Sequence, residues 1–282
     1  MMYRIFGCPM HYGVGAQGLT GSIDYLNRYC GDLNLTMLPE ISMPEDHLPN
    51  LKNINSVLAN CRQIAEHGRT ALQEGMTPLY LAGDHSCAIG TVSAAAACYD
   101  NLGLVWIDAH PDINTDATTL TGNIHGMPVA ALLGMGEKSL TEILNDRPKI
   151  KAGNLVMLGL RDIDPPEKAF LKDLNIRYFT YRDMEKQGIS SCVEACISHL
   201  SGLDHVHISF DVDVMDPALL PGVSVPVPGG LLPRDAFRIM DTLTRRLPIV
   251  SCDIVEFNAA RDSGDRTAEF VCSMIQKILQ QR

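Results

Sequence analysis

Short apolar runs alternate along the chain with longer segments in which apolar residues recur every three or four positions. The short runs, predicted as strands, read YRIFG, NLTML, PLYLAG, LGLVWID, NLVMLGL, IRYFTY, VHISFDVD and IVSCDIVEFN. The longer segments, predicted as helices, include INSVLANCRQIAEHGRTALQEG, TVSAAAACYDNLG, CVEACISHLSG, PRDAFRIMDTLTRRL and RTAEFVCSMIQKILQQR. This alternation is typical of a parallel sheet covered by helices on both faces, so we predict an α/β fold.

One stretch breaks the alternation. Residues 213–232 contain PALLPGVSVPVPGGLLP, in which proline and glycine recur too often for a regular helix. Loops of this length inside a compact domain are usually functional, so we predict an ordered functional loop. The sequence contains no repeat or low-complexity linker, and residues 1–282 are predicted to form a single domain.

Composition and charge narrow the possible functions. The chain is 46% hydrophobic, enough for a large core, and its formal net charge of -10 offers no basic surface for nucleic acid. No run approaches the roughly 18 apolar residues that a membrane span needs, so no membrane partner is expected. With nucleic acid and membrane excluded, a small-molecule substrate is the expected partner. The nine cysteines are odd in number and scattered through apolar segments, which predicts reduced thiols and a cytoplasmic protein.

Acidic side chains recur where the predicted strands end. They are Asp84, Asp108, Asp112, Asp162, Asp164, Asp211, Asp213 and Glu256. In a parallel sheet the carboxyl ends of the strands lie along one edge, so these residues are expected to converge in one crevice.

Two strand ends carry acids at alternate positions. WIDAHPDINT places Asp108, His110 and Asp112 at every second residue, and in an extended chain they would share one face at a spacing of about 6.6 to 7 Å. SFDVDVMDP repeats the arrangement with Asp211 and Asp213. The sequence therefore predicts a cluster of carboxylates and imidazole at the sheet edge.

His85, in AGDHSCAIG, lies at another strand end and brings the candidate cluster to two imidazoles and four carboxylates. In a dry crevice these groups would repel one another or stay unsatisfied unless a positive charge lay between them. The oxygen-rich set suits Mn²⁺, with Co²⁺, Zn²⁺ or Fe²⁺ as alternatives, whereas a structural Ca²⁺ or Mg²⁺ site would use fewer imidazoles. Six ligands exceed what one catalytic ion with an open position needs, so we predict two ions that share a carboxylate.

Six motifs resemble, in order, those of the ureohydrolase family of arginases, agmatinases and formiminoglutamases. They read AGDHSCAIG, WIDAHPDINT, TGNIHGMPVAALLG, GLRDIDPPE, SFDVDVMDP and DIVEFN, and the similarity is greatest to the arginase branch. The resemblance implies a three-layer α/β/α fold with an eight-stranded parallel sheet and two Mn²⁺ ions per chain. It also implies hydrolysis of L-arginine to L-ornithine and urea, and a homo-oligomer that is a trimer or hexamer.

Residue by residue, the resemblance assigns ligands and catalytic groups. One ion would be held by His85, Asp108, Asp112 and Asp211. The other would be held by His110, Asp108, Asp211 and Asp213. Catalytic roles fall to His125 as proton shuttle, to Glu256 as partner of the guanidinium group, and to Asp112.

The assigned residue types suit this chemistry. A guanidinium carbon is deactivated by resonance, so water must be delivered as hydroxide, which two metal ions achieve near neutral pH by lowering its pKa. A carboxylate such as Glu256 can hold the guanidinium group. An imidazole such as His125 is suited to pass a proton to the departing amine.

Four further residues favour arginine as the substrate. Asn114 and Thr121 match the positions at which arginases bind the α-carboxylate, and Asp164 and Glu167 match those that meet the α-ammonium group. Agmatine has no carboxylate for Asn114 to bind. The structural alternative is that Asp164 and Glu167 only cap a helix that opens at Pro165.

One segment departs from the arginase pattern. Where arginases usually have Gly-Thr-Pro, this chain has Ser224, Val225 and Pro226, and PGVSVP is similar to the formiminoglutamase branch. That branch hydrolyses a formimino group rather than a guanidino group. The alternatives to arginase activity are therefore formiminoglutamase, agmatinase or guanidino-acid hydrolase activity.

Other patterns have simpler interpretations. GVGAQG, residues 13–18, fits the G-x-G-x-x-G pattern of a dinucleotide-binding oxidoreductase, but CPMHY separates it from the preceding strand, whereas a Rossmann turn follows its strand directly. A catalytically silent binding subunit is disfavoured because every expected ligand is present. Cys192, Cys196 and Trp106 are predicted to be core residues.

Overall fold

The computed structural model describes residues 2–16, 18–31, 33–44, 46 and 48–280. Its strands are β1 (Tyr3–Cys8), β2 (Thr36–Met37), β3 (Thr77–Ala82), β4 (Gly103–Ile107), β5 (Leu155–Leu160), β6 (Arg177–Thr180), β7 (Val206–Asp211) and β8 (Ile249–Val255). They form one eight-stranded sheet in the order β2-β1-β3-β8-β7-β4-β5-β6, and every pairing is parallel. The predicted α/β fold with an eight-stranded parallel sheet is confirmed.

Ten helices of the described residues cover the two faces of this sheet. They are α1 (Ser22–Tyr29), α2 (Ile54–Gln73), α3 (Ala88–Cys98), α4 (Pro128–Leu132), α5 (Lys138–Thr141), α6 (Pro165–Asp173), α7 (Tyr181–Gln187), α8 (Ile189–Leu200), α9 (Pro233–Arg246) and α10 (Arg266–Leu279). The last predicted helix also included Gln281 and Arg282, which lie outside the described residues.

The layers follow from the alternation of side chains along each strand. In β4, Val105 and Ile107 pack into the core shared with α1 and α7 to α10, whereas Leu104 and Trp106 pack toward α3, α4 and α6. All four are fully buried. A strand buried on both faces reads as an unbroken apolar run, which is why LGLVWI carries no polar alternation.

The chain order places four strand ends together at the centre of the sheet. β3, β8, β7 and β4 are consecutive neighbours, although β3 and β4 follow each other along the chain. The order therefore reverses at this point, and in parallel α/β sheets such a switch point opens a crevice at the carboxyl edge. The predicted metal ligands come from the end of β7, which includes Asp211, and from the segments that follow β3, β4 and β7.

The segment between β7 and α9 is an ordered loop, as predicted. After a single 3₁₀ turn at Val212–Val214 it has no regular helix before Pro233, the first residue of α9. An isolated bridge between Met215 and Leu231 joins the two ends of the loop. A second bridge, between Val223 and Phe257, connects the loop to the chain just after β8.

The prediction that all nine cysteines are reduced is wrong. A disulfide links Cys30, which follows α1, to Cys272 in α10, with their Cα atoms 5.5 Å apart. Spacing in the sequence could not reveal this pair, because 242 positions separate its members and only the packing of α1 on α10 brings them together. Cys192 and Cys196 are buried in the core, as predicted. None of the helices in the described part of the chain is long and apolar enough to cross a membrane.

Candidate metal and substrate site

The ligands that follow β4 converge through a turn. The strand ends at Ile107, the chain bends through residues 108–110, and Asp112 has a left-handed backbone with φ +49°. The expectation that Asp108, His110 and Asp112 lie along one face of an extended strand is therefore wrong. The bend brings the side chains much closer than strand spacing allows, and the backbone N–H of His110 donates to Asp108 Oδ1 at 2.7 Å.

Three carboxylates surround a single ring nitrogen of His85. Its Nδ1 lies 2.9 Å from Asp108 Oδ2, 3.0 Å from Asp211 Oδ2 and 3.2 Å from Asp112 Oδ2. His85 is 1% exposed and Asp108 is completely buried. A ring nitrogen carries at most one proton, so it cannot donate to three carboxylates at once. The arrangement is that of ligands around a shared cation.

A second group lies beside the first. His110 Nδ1 is 3.0 Å from Asp213 Oδ2 and 3.5 Å from Asp108 Oδ1. Asp108 thus presents one oxygen to His85 and the other to His110, and it belongs to both groups of potential metal ligands. These two groups supply five of the six predicted ligands, and Asp112 lies against the first.

The electrostatics of the cluster require a compensating positive charge. Although burial opposes it, contacts with Asp108, Asp112 and Asp211 raise the pKa of His85 well above its usual range. Burial raises the pKa of Asp112 to about 6 and that of Asp211 well above its ordinary value. The isolated cluster therefore gathers protons. A divalent cation would supply the charge instead, and the donor set fits one: within the described residues His85 Nδ1 and Asp108 Oδ2 are buried without a hydrogen bond.

Glu256 sits at the end of β8 in a strained conformation. Its backbone φ is +64°, in the left-handed region that residues other than glycine adopt only at a cost in conformational energy. Its N–H donates to Gly83 O at 2.7 Å. Oε1 accepts from the N–H of His85 at 3.0 Å and lies 3.3 Å from His125 Nδ1. Oε2 is buried and has no hydrogen-bond partner among the described residues. The carboxylate therefore keeps one oxygen free for a cationic ligand.

His125 stands next to the predicted ligands without joining either metal group. It lies in a 3₁₀ turn, Ile124–Gly126, held by a hydrogen bond from its N–H to Gly13 O at 3.2 Å. Burial alone would lower the pKa of His125, but the Glu256 carboxylate outweighs it and raises the pKa above its usual value. His125 thus lies beside Glu256, 3.3 Å from its Oε1, at the border of the predicted metal site.

A cavity of about 240 Å³ opens beside the cluster. Its walls include all four predicted substrate contacts, the histidines His110 and His125, and four residues without an earlier assignment. The lining is His110, Asp112, Asn114, Thr119, Leu120, Thr121, Asn123, His125, Gly126, Asp162, Asp164, Glu167 and Val225. Asn114 Nδ2 donates to Asp164 Oδ2 at 3.1 Å, so the two residues predicted to meet opposite ends of the substrate are joined.

Asp164 and Glu167 also have structural roles. Asp164 is the N-cap of α6, which opens at Pro165 as the structural alternative anticipated. Glu167 Oε2 accepts from the N–H of Asp164 at 3.0 Å, and Oε1 accepts from the N–H of Ile113 at 3.2 Å. Burial raises the pKa of Glu167 to about 8. Glu167 therefore fixes the two cavity walls together, while Asp164 lies closer to solvent.

Sequence reasoning missed several residues that shape the site. Trp106 was expected only to fill the core, but its ring stacks on His85 with centroids 3.9 Å apart and an interplanar angle of 5°. Thr119 lines the cavity next to Thr121. Asp84, grouped with the strand-end acids, accepts from the N–H groups of Gly13 and Ser86 and so caps the turn that carries His85. Only the clustering of hydroxyls in DATTLTGN could have suggested Thr119.

The glycine-rich stretch at residues 13–18 packs against the site as a turn, and Gln17 within it lies outside the described residues. Gly13 donates its N–H to Asp84 Oδ2 at 2.8 Å and accepts from the N–H of His125. A Cβ at Gly13 would collide with Asp84 and Ser86. Close packing against residues of the site therefore requires glycine at position 13.

Comparisons with known proteins identify the family of this chain. A model of the arginase family matches residues 15–280. The chain belongs to the arginase family. The arginase of Bacillus subtilis strain 168 is 36% identical over 285 residues, which cover 98% of this chain and 96% of that relative.

Solved arginase-family structures have the same fold. The arginase structure from Bacillus subtilis superposes with a TM-score of 0.93 at 34% identity, covering 100% of this chain and 99% of that chain. The formimidoylglutamase of Bacillus subtilis covers 99% of this chain and 86% of its own at a TM-score of 0.80 and 19% identity, which shows likeness of fold alone. The chain is thus an arginase-type ureohydrolase that cleaves a carbon–nitrogen bond other than a peptide bond, and a metal-dependent family accounts for its clustered ligands.

Proposed function

We propose that this enzyme hydrolyses the guanidino group of L-arginine to give L-ornithine and urea, with two Mn²⁺ ions per chain. The observation that carries the proposal is the pair of ligand groups sharing Asp108, next to a buried Glu256 oxygen that lacks a partner. A cluster of metal ligands lies beside a carboxylate oxygen that has no partner. This arrangement suits a guanidinium substrate, which must be held by a carboxylate while its carbon is attacked by activated water.

The two ligand groups that share Asp108 are the basis of the metal assignment, and the family resemblance adds Asp112 to the first ion and Asp211 as a second shared ligand. We assign His85, Asp108, Asp112 and Asp211 to one ion. We assign His110, Asp108, Asp211 and Asp213 to the other. Four carboxylates and two imidazoles favour Mn²⁺ over a thiolate-seeking ion. When bound, the metal supplies Lewis-acid activation of water near neutral pH.

The chain's own residues hold the substrate and move the proton. Glu256 Oε2, which is buried without a hydrogen-bond partner, pairs with the guanidinium group. Asp112, at the boundary of the cluster and the cavity, acts as the third catalytic residue. His125 delivers its proton to the departing nitrogen, a role supported by its raised pKa.

The far end of the cavity distinguishes arginine from smaller guanidines. Asn114 and Thr121 face the α-carboxylate with neutral donors, and Asp164 meets the α-ammonium group. Glu167 contributes to the same end by fixing Asp164 through its N–H. The hydrogen bond from Asn114 to Asp164 couples recognition of the two charged groups.

A formimino substrate is the second candidate, and Val225 is the observation that favours it. Val225 lines the cavity with no hydroxyl, and Ser224 does not replace it because its Oγ accepts a hydrogen bond from Asn258 Nδ2 at 3.0 Å. This wall therefore offers no side-chain hydroxyl with which a guanidinium group could form a hydrogen bond. Agmatine and other guanidino acids are further alternatives.

Three wider predictions accompany this proposal. The chain is proposed to act as a single catalytic domain over residues 1–282, to assemble as a homo-trimer or homo-hexamer, and to work in the cytoplasm. Light scattering on the purified protein tests the assembly. Survival of the Cys30–Cys272 disulfide in cells is a test of the compartment, because cytoplasmic thiols are usually kept reduced.

The proposed metal dependence is tested by reconstitution. Chelator-treated protein receives graded Mn²⁺, and urea release from L-arginine is measured alongside bound manganese by elemental analysis. We expect activity to reach its plateau as about two ions bind per chain, the number used by bridged metal hydrolases. A plateau at one ion, or activity without any, would contradict the binuclear proposal.

A further inference from the structure

A row of buried polar side chains lies under the metal cluster, on the face of β7 and β8 that also carries Asp211. The register pairs Ser209 with Asp253 and His207 with Ser251, so their side chains meet across the two strands. All four are completely buried. None of them is a proposed metal ligand or catalytic residue. Burying a polar side chain costs free energy unless it is hydrogen-bonded, so the partners of these four residues indicate what they do.

The row begins at His85. Its Nε2 lies 2.8 Å from Ser209 Oγ, and the Ser209 hydroxyl donates to Asp253 Oδ1 at 2.5 Å. Asp253 Oδ2 is within 2.9 Å of His207 Nε2 and also accepts from the hydroxyl of Thr91. Although burial opposes it, His207, His85 and Ser209 hold the pKa of Asp253 below its ordinary value, and each of its two oxygens accepts a hydrogen bond from a hydroxyl group.

These contacts fix where the His85 proton lies. Ser209 has one O–H, and the Asp253 carboxylate can only accept, so that proton is directed to Asp253. Ser209 Oγ must then accept from Nε2–H of His85, which leaves Nδ1 as the nitrogen whose lone pair faces Asp108, Asp112 and Asp211. Stacking on Trp106 holds the ring plane in the same orientation.

We propose that Asp253, acting through Ser209, is a positioning residue that orients His85 and strengthens its hold on the metal. The inference rests on the proposed metal site. Such outer partners make a histidine more basic toward its metal, and their loss typically weakens metal affinity about 10- to 100-fold. Asp253 contacts neither substrate nor metal, so its removal should act on metal affinity and leave the chemistry intact once the site is filled.

Manganese titration tests this directly. Free Mn²⁺ is followed by electron paramagnetic resonance as the metal-free enzyme is titrated, comparing the unsubstituted protein with Ser209→Ala and Asp253→Asn. We expect one of two dissociation constants to rise about 10- to 100-fold in each variant, and urea release to recover when Mn²⁺ is raised in proportion. Ser209→Ala removes a single buried oxygen and keeps the test valid if Asp253→Asn does not fold.

Thr91→Val is the matched control. It removes a hydrogen bond to the same carboxylate with little change of shape, but Thr91 is not part of the chain that leads to His85. We expect a lower unfolding temperature with unchanged manganese affinity. Equal loss of affinity in Thr91→Val and Ser209→Ala, or none in Ser209→Ala, would overturn the positioning role. No manganese binding by the unsubstituted protein would overturn the metal proposal together with this inference.

Discussion

Replacing Glu256 with glutamine should make the protein more stable and less active at the same time. The substitution keeps the shape of the side chain. The amide oxygen can still accept from the His85 N–H, as Oε1 does now at 3.0 Å. What changes is the second oxygen, which is buried without a partner, and the negative charge. Burial and the neighbouring Glu256 carboxylate together raise the pKa of Asp84 to about 6, which shows that the charges repel.

The two effects have magnitudes that follow from these contacts. Burying an unpaired polar atom costs about 1 to 3 kcal/mol, and the amide can instead donate toward neighbouring carboxylates, so we expect metal-free Glu256→Gln to gain about 1 kcal/mol. In turnover, the lost interaction is one charge-assisted hydrogen bond to the guanidinium group, worth about 1.5 to 3 kcal/mol. This corresponds to roughly a 10- to 150-fold lower kcat/KM for arginine.

Urea denaturation of the metal-free protein and steady-state kinetics of the manganese-loaded protein measure the two effects. Asp84→Asn is the matched control, because Asp84 is buried nearby but accepts hydrogen bonds through both oxygens, and its loss should destabilise the protein. A Glu256→Gln protein that is less stable than the unsubstituted one, or one that keeps full kcat/KM, would refute the assignment of Oε2 as the free acceptor for substrate.

Five further substitutions test other parts of the site and fold. Asp108→Ala should lose both manganese ions, whereas His110→Ala should lose mainly one, because Asp108 is assigned to both ions and His110 to only one of them; elemental analysis decides. His125→Asn should keep its metal and lose roughly 10²- to 10⁴-fold in kcat, and metal loss would count against a pure proton-transfer role. Asp164→Ala should lower kcat/KM about 10- to 100-fold for arginine but little for 4-guanidinobutyrate, which has a carboxylate and no ammonium group. Cys30→Ser should cost about 2 to 5 kcal/mol, seen as a lower unfolding midpoint that reducing agent no longer changes.

Much of this architecture could be predicted from the sequence because buried parallel strands and amphipathic helices differ in period and length. The acidic and histidine motifs at the strand ends also occur in the same order as in a known family. The prediction that Asp108 and Asp112 lie on an extended strand was wrong because the chain bends after Ile107. Asp112 in this bend has a left-handed backbone conformation, which the pattern of apolar residues does not indicate.

Features set by tertiary packing were beyond sequence reasoning. The Cys30–Cys272 disulfide depends on α1 lying against α10. The contact of Asp253 with Ser209 depends on the register of β7 and β8, which no single strand reveals. Glu167 matched a substrate position by sequence, yet its two oxygens bind backbone N–H groups of Asp164 and Ile113, so one residue serves both recognition and folding.

Substrate identity is tested most directly by competition in a single vessel. The manganese-loaded enzyme receives equal concentrations of L-arginine and N-formimino-L-glutamate, and the early release of ornithine with urea is measured against that of glutamate with formamide. The arrangement of Asn114, Asp164 and Glu256 predicts that ornithine and urea appear together, in equal amounts, and faster. Formamide appearing first would contradict arginine as the substrate and would indicate that the apolar cavity wall at Val225 selects a formimino substrate.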